Sequence, residues 1–255
     1  MKMNLKRKNI KKIILTASIL ALAALLLLTM SSCITIKLNS IKGSGEVVSE
    51  DFDVSGFNKL SFSGIGKIII EQSAEESLTV EAEKNIIDAL DINVSGNRLN
   101  VGLKRGFLNI IPTKDIIFYL SVKDLKKIDL TGAGSVICKS FETQSLEINS
   151  SGLGNIEFGL EAENLEIDIS GAGKVIMEGK VAIQEIEVSG VGTYNGKKLQ
   201  SNECLINISG AGRAAVNVQD TLDVRMSGVG HVEYTGNPQI TQNISGVGGT
   251  VKSID

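Results

Sequence analysis

A four-residue phrase, Ser/Thr-Gly-x-Gly, occurs eight times in this chain and restricts its fold more than any other feature. The copies begin at Ser63, Thr131, Ser151, Ser170, Ser189, Ser209, Ser227 and Ser245. From Thr131 onward the spacings are 20, 19, 19, 20, 18 and 18 residues. A fixed period of this length marks units that cannot bury a hydrophobic face alone and must stack on one another.

Aligned on the Ser or Thr, the repeats reveal what one unit builds. Three positions earlier stand Leu60, Ile128, Ile148, Ile167, Ile186, Ile206 and Val224. One position earlier stand Phe62, Leu130, Ile169, Val188, Ile208, Met226 and Ile244. Between these columns lie Asp129, Asn149, Asp168, Glu187, Asn207 and Asn243. Apolar and polar residues alternating at period two describe a strand with one buried face. A unit of about 19 residues with two glycines and such a run has no room for a helix of ten or more residues. The chain is therefore expected to be all-β, a parallel β-solenoid with two or three short strands per coil.

The paired glycines are expected to turn each coil. They are Gly64 and Gly66, Gly132 and Gly134, Gly152 and Gly154, Gly171 and Gly173, Gly190 and Gly192, Gly210 and Gly212, Gly228 and Gly230, and Gly246 and Gly248. Glycine reaches positive φ without a Cβ clash, which suits a corner. The residue between them is always apolar: Ile65, Ala133, Leu153, Ala172, Val191, Ala211, Val229 and Val247. We read it as filling the corner from inside, although strict alternation would place it outside. The next residue varies, from Lys67 to His231, and reads as a solvent-facing column.

Residues 56–130 are less regular and are expected to form the first part of the solenoid and to cover its first coil, because a bare end exposes strand edges. Residues 85–90 suggest a helical turn. Residues 91–94 and 99–103 suggest a hairpin with a four-residue loop, Ser95 to Arg98. Residues 131–255 hold the regular coils. Residues 33–55 read as a tether and lead-in, the 16 residues from Ile34 to Ser49 spanning roughly 20–25 Å if flexible.

The first 32 residues have the layout of an export signal: six basic residues, then an apolar run from Ile13 to Met30, then Ser31 and Ser32. The run is long enough for an uncleaved anchor. The sequence Met30-Ser31-Ser32-Cys33, however, resembles a bacterial lipobox, which makes Cys33 the expected lipidation site and residues 1–32 a lipoprotein signal peptide. Cleavage there would remove six of 26 basic residues and none of 29 acidic ones, leaving 20 minus 29, or −9. An acidic exported chain is poorly suited to nucleic acid. Cys138 and Cys204 lie 66 residues apart, over three coils, or more than about 14 Å along a stack. A disulfide needs Cα atoms within about 7 Å, so both are expected as free, buried thiols.

Several stretches together carry a family resemblance: Ile41-Lys42-Gly43-Ser44-Gly45-Glu46-Val47-Val48, Asp53-Val54-Ser55-Gly56-Phe57, Leu60-Ser61-Phe62-Ser63-Gly64, and Leu125 to Gly134. From about residue 41 to residue 250 the chain resembles the head GIN domain of bacterial auto-transporter adhesins. The resemblance implies a right-handed parallel β-helix-like fold. It supplies no catalytic residues.

Other chemistries fit less well. Gly64-Ile65-Gly66-Lys67 and Gly171-Ala172-Gly173-Lys174 have the look of phosphate loops, but strand-like residues follow where a helix should start. None of the eight phrases has Asp or Glu in the two positions after its second glycine, against a calcium-binding β-roll. His231 is the single histidine and has no partners for zinc. The Asp/Asn/Glu column before the repeat serine reads as a solvated ladder. A polysaccharide lyase would want aromatic platforms, and the chain has no Trp and 4% aromatics. We therefore expect no enzyme, no cofactor and no metal. The expected protein is a lipid-anchored cell-envelope module that binds a surface glycan or protein, held at the outer membrane where there is one. The alternative is a periplasmic scaffold or sensor that forms homo-oligomers through its solenoid ends.

Overall fold

The computed structural model describes residues 40–107, 109–246 and 248–254. Cys33 and the signal segment lie outside the described residues. From Ser40 onward the chain is an all-β solenoid of about seven turns, with parallel strands stacked about 19 residues apart.

Two strand lines run the length of the stack. One contains β3 (Lys59–Phe62), β10 (Lys127–Leu130) and β12 (Ser145–Ser150), then the second halves of β13 (Asn155–Ile169), β14 (Lys174–Val188), β15 (Thr193–Ile208) and β16 (Arg213–Met226). The other contains β4 (Lys67–Gln72), β11 (Ser135–Cys138) and the first halves of β13 to β16, continuing into β17 (His231–Thr235) and β19 (Thr250–Ser253). The first line ends in β18 (Gln239–Ile244), which pairs with β16. The apolar columns read from sequence are in register: Leu60, Ile128, Ile148, Ile167, Ile186, Ile206 and Val224 stack in order and are buried. Each removes a β-branched or branched chain from water, worth about 1.5–3 kcal/mol.

The spacings of 18 to 20 residues have a structural origin. In the coil from Ser189 to Ser209 the register between β15 and β16 skips between Gly196 and Gln200, so extra residues bulge there. On that bulge Lys197 reaches across to Glu233 at 2.7 Å. Between this coil and the one before it, Tyr194 donates to Gln184 Oε1 and Gln184 Nε2 donates to Ser201 Oγ, each at 2.7 Å. All three residues are fully buried. Ser150 has no such partner: its hydroxyl is buried in the column before the repeat serine and makes no hydrogen bond.

The less regular first part caps the stack, as expected. β7 (Arg98–Leu103) lies parallel under β3, and β6 (Leu90–Ser95) pairs antiparallel with β7. β9 (Ile117–Val122) lies under β4 and is flanked in turn by β5 (Ser77–Glu83) and β2 (Val47–Phe52), both antiparallel. A one-turn helix, α1 (Lys84–Ile87), buries Ile86 and Ile87 against this end. The β6–β7 loop is shorter than expected. Ser95 pairs with Arg98, leaving only Gly96 and Asn97. Gly96 alone is at positive φ, 62°, which is the pattern of a type II′ hairpin turn.

The segment read as a tether contributes strands to the fold. β1 (Ser40–Lys42) pairs with β8 (Asn109–Ile111), and Gly43 to Gly45 are clamped by the cap. Glu83, fully buried by solvent exposure, accepts from the Gly45 N–H at 2.6 Å and from the N–H and hydroxyl of Thr113 at 2.8 and 2.6 Å. Those partners come from 30 and more residues away, so a local reading of polar Gly43-Ser44-Gly45 misses them.

Candidate functional site

The Gly-x-Gly corner is the most repeated surface of the molecule, and its geometry corrects two expectations. The glycines are not there for positive φ: of the sixteen, only Gly66 and Gly248 have it. They are there for close approach. A Cβ on Gly132, Gly152, Gly171, Gly190, Gly210, Gly228 or Gly246 would sit 1.9–2.2 Å from the carbonyl oxygen of the matching glycine one coil below. In the six copies from Gly134 to Gly230 the second glycine is buried and faces inward. A Cβ on Gly134, Gly192 or Gly212 would meet the ring of Phe62 at 2.3 Å, Ile169 at 2.2 Å or Val188 at 2.5 Å. The corner is thus a place where coils touch backbone to backbone, and where large inward residues such as Phe62, Ile169 and Val188 fill the space a Cβ would need.

The second correction follows from the first. Because the second glycine is the inward one, alternation runs unbroken through the corner, and the apolar residue between the glycines points out. Leu153, Val191, Val229 and Ile65 are 71, 69, 60 and 37% exposed. Ala133, Ala172 and Ala211, also exposed, lie between them. The corner backbones are locked to the coil below by backbone amides, such as Ala172 N–H to Gly152 O and Val191 N–H to Gly171 O, at 3.1 and 3.0 Å. The result is a straight ridge on which large and small apolar side chains alternate, one per coil. Period-two alternation in the sequence carried this signal.

The ridge is bordered by the repeat hydroxyls on one side and by the variable column on the other, including Lys67, Lys174 and Arg213, all exposed. Two open grooves cross the face beyond that column. One, of about 470 Å³, is lined by Ile137, Ile176, Lys139 and Glu178 among others, with the Lys197 bulge at one side. The second, of about 680 Å³, adjoins it through Ile137 and Lys139.

The remaining candidates are dispersed. The acidic column stacks in register from Asp129 through Asn149, Asp168, Glu187 and Asn207 to Arg225. Its first member is neutralised by Arg98, which pairs with Asp129, and in the neighbouring column Lys127 pairs with Glu147. The Lys127 contact is also the reason its ammonium holds its proton more tightly than usual. His231 contacts Thr250 and lies 3.4 Å from Glu233. The Glu233 carboxyl is pulled below its ordinary range chiefly by Lys197. Cys138 and Cys204 are free and buried. Burial pushes the Cys138 thiol up to about 11 and Cys204 further still, so neither is a nucleophile at neutral pH. Among the described residues no cluster of His, Cys, Asp or Glu could hold a metal. The phosphate-loop-like phrases run into β4 and β14, not into helices.

A family profile described as "putative auto-transporter adhesin, head GIN domain" matches residues 56–238. The chain belongs to this family. Solved structures share its architecture. A crystal structure described as a putative adhesin from Bacteroides fragilis NCTC 9343 is 28% identical with a TM-score of 0.79, covering 84% of this chain and 100% of that one. A putative lipid binding protein from Parabacteroides distasonis ATCC 8503 is 23% identical with a TM-score of 0.70, covering 85% and 100%. A putative adhesin from Parabacteroides merdae ATCC 43184 is 22% identical with a TM-score of 0.67, covering 85% and 99%. At such identities the last two establish the fold alone. No curated protein matches the chain. The descriptions of the head GIN family and of the Bacteroides fragilis structure as adhesins are consistent with an adhesin-like module at the cell surface or outside the cell.

Proposed function

We propose that this head GIN protein is a lipid-anchored, non-catalytic binding module of the cell envelope, held through Cys33 and making contact with a protein ligand along its glycine-corner ridge. The observation that carries this reading is the outward column of Leu153, Val191 and Val229. Packing does not require it, since the ridge side chains face away from the core, and large exposed apolar groups in line are characteristic of contact surfaces. A protein ligand fits better than a glycan, because the ridge carries no aromatic platform for a sugar ring. The parallel stack supplies rigidity: each ridge residue sits on a backbone hydrogen-bonded above and below, so little ordering is needed on binding.

Protease treatment of intact cells, with lysed cells as control, tests where the module faces. Digestion in intact cells supports contact with an outside partner. Protection until lysis restricts the partner to the periplasm and removes adhesion between cells. The triple variant Leu153→Ser, Val191→Ser, Val229→Ser tests the ridge itself. Cells carrying it should lose attachment to protein-coated surfaces while keeping normal amounts of folded protein; unchanged attachment would reject the ridge as the contact.

A further inference from the structure

The two ends of the solenoid are finished differently. At the first end, β2 and β6 close the ladder, carry Glu50, Asp51 and Asp91, and are joined by the apolar residues of α1. Charges on an outer strand discourage pairing with another chain. At the last end β18, Gln239-Ile240-Thr241-Gln242-Asn243-Ile244, has no charge, and its ladder partner is β16. Its register with β16 places Ile240, Gln242 and Ile244 over the buried Leu222, Val224 and Met226. Those three therefore continue the core columns, yet Ile240 and Ile244 are 37% exposed, with no further strand over them among the described residues.

We propose that the outer edge of β18 pairs antiparallel with β18 of a second copy of this chain, tail to tail about a two-fold axis through Gln242. The sequence of the strand selects the partner and the register. Residues directly opposite each other in an antiparallel pair lie on the same face. Centring the pair on Gln242 sets Ile240 against the partner's Ile244, and Ile244 against the partner's Ile240, both on the core side. It sets Gln242 against its own copy, where two amides exchange hydrogen bonds. Thr241 meets the partner's Asn243 on the solvent side. A shift by one residue would set apolar core positions against polar solvent ones, which period two forbids. The two-fold also brings the open core ends together, so one coil of about 20 residues from each copy is covered, the number a standard interface uses per side. Head-to-tail growth is blocked by the antiparallel, charged cap, so the assembly closes at two.

The test is a cysteine scan in the full chain, expressed and processed in its own envelope. Cys138 and Cys204 are buried and do not interfere, and the parent chain, which keeps Cys33, is the control for crosslinking at that third cysteine. Gln242→Cys should give a disulfide-linked dimer on mild oxidation, while Asn243→Cys, which faces a different residue, should give little. Gln242→Lys places like charges at the axis and should weaken the dimer by roughly 100-fold, given several kcal/mol for apposed like charges and tenfold per 1.4 kcal/mol. Its melting curve in dilute solution checks that it folds. A purified protein that stays monomeric at high concentration overturns the proposal. So does a dimer that neither crosslinks at 242 nor responds to Gln242→Lys.

Discussion

Gly171→Ala adds one methyl group to the corner and is the sharpest test of why the glycines are there. The backbone at Gly171 is not in the left-handed region, so alanine has no conformational objection to it. A Cβ there would lie 2.1 Å from the Gly152 oxygen and 2.7 Å from the Ser151 carbonyl carbon and oxygen. All three are backbone atoms and cannot swing aside as a side chain would. The two coils must separate locally, which places the amide bonds from Gly171 to Ser150 and from Ala172 to Gly152, at 3.2 and 3.1 Å, out of range. Overpacking costs about 1–3 kcal/mol, and two lost hydrogen bonds about 1 kcal/mol each, for a total of about 3–5 kcal/mol. For a chain of this size each kcal/mol moves the melting temperature by about 2–4 °C, so a fall of roughly 10 °C is expected by circular dichroism. Gly230→Ala is the comparison. Its Cβ would meet Met226 Sδ at 2.9 Å, the flexible part of a side chain, and it should lose less than half as much. Equal stability of Gly171→Ala and the parent would refute the close-approach account of the motif.

Ser150→Ala removes a buried hydroxyl without a partner and should raise stability by about 1 kcal/mol in urea titration. Tyr194→Phe leaves buried Gln184 short of a donor and should lower it by about 1–3 kcal/mol in the same titration. Glu83 is held below its ordinary value of 4.5, first by the Thr113 hydroxyl and then by backbone amides that together outweigh its burial. A lowered folded value means that its contribution is complete above 4.5 and is lost as pH falls through the folded value. Glu83→Gln should therefore be less stable than the parent at pH 7, with the gap closing in acid melts. Native Cys138 and Cys204 should resist a thiol reagent at pH 7.5 and react on unfolding; rapid labelling of the folded protein would contradict their burial.

The strand columns were legible because Ile, Val and Leu recur at fixed positions, and in a parallel stack a column in sequence is a column in space. The corner was legible in place but not in phase. Glycine suggested a turn with positive φ, whereas the actual demand came from the coil beneath, which a single repeat does not display. Had alternation been carried through the corner, Leu153 and Val191 would have been assigned outward. The Gln184–Tyr194–Ser201 network was not legible, since a buried Gln between Ile183 and Glu185 looks like any polar residue of an edge. β1 and β2 looked like linker because their partners, β8 and β5, are distant in sequence and the clamp on Gly45 belongs to Glu83.

The in-register stack also makes coil number a dimension that evolution and engineers can set. Each turn from Thr131 onward pairs with the turns above and below it, so removing residues 171–189 in one piece would join Ser170 to Gly190 and bring the strand columns back into line, provided that buried Tyr194 and Ser201, which lose Gln184, are replaced by apolar residues. The ridge would shorten by one step of about 4.8 Å and lose Ala172, which brings Leu153 next to Val191. A head GIN fold of this kind therefore behaves as a ruler, graduated in coils, whose length can be adjusted without redesigning either end.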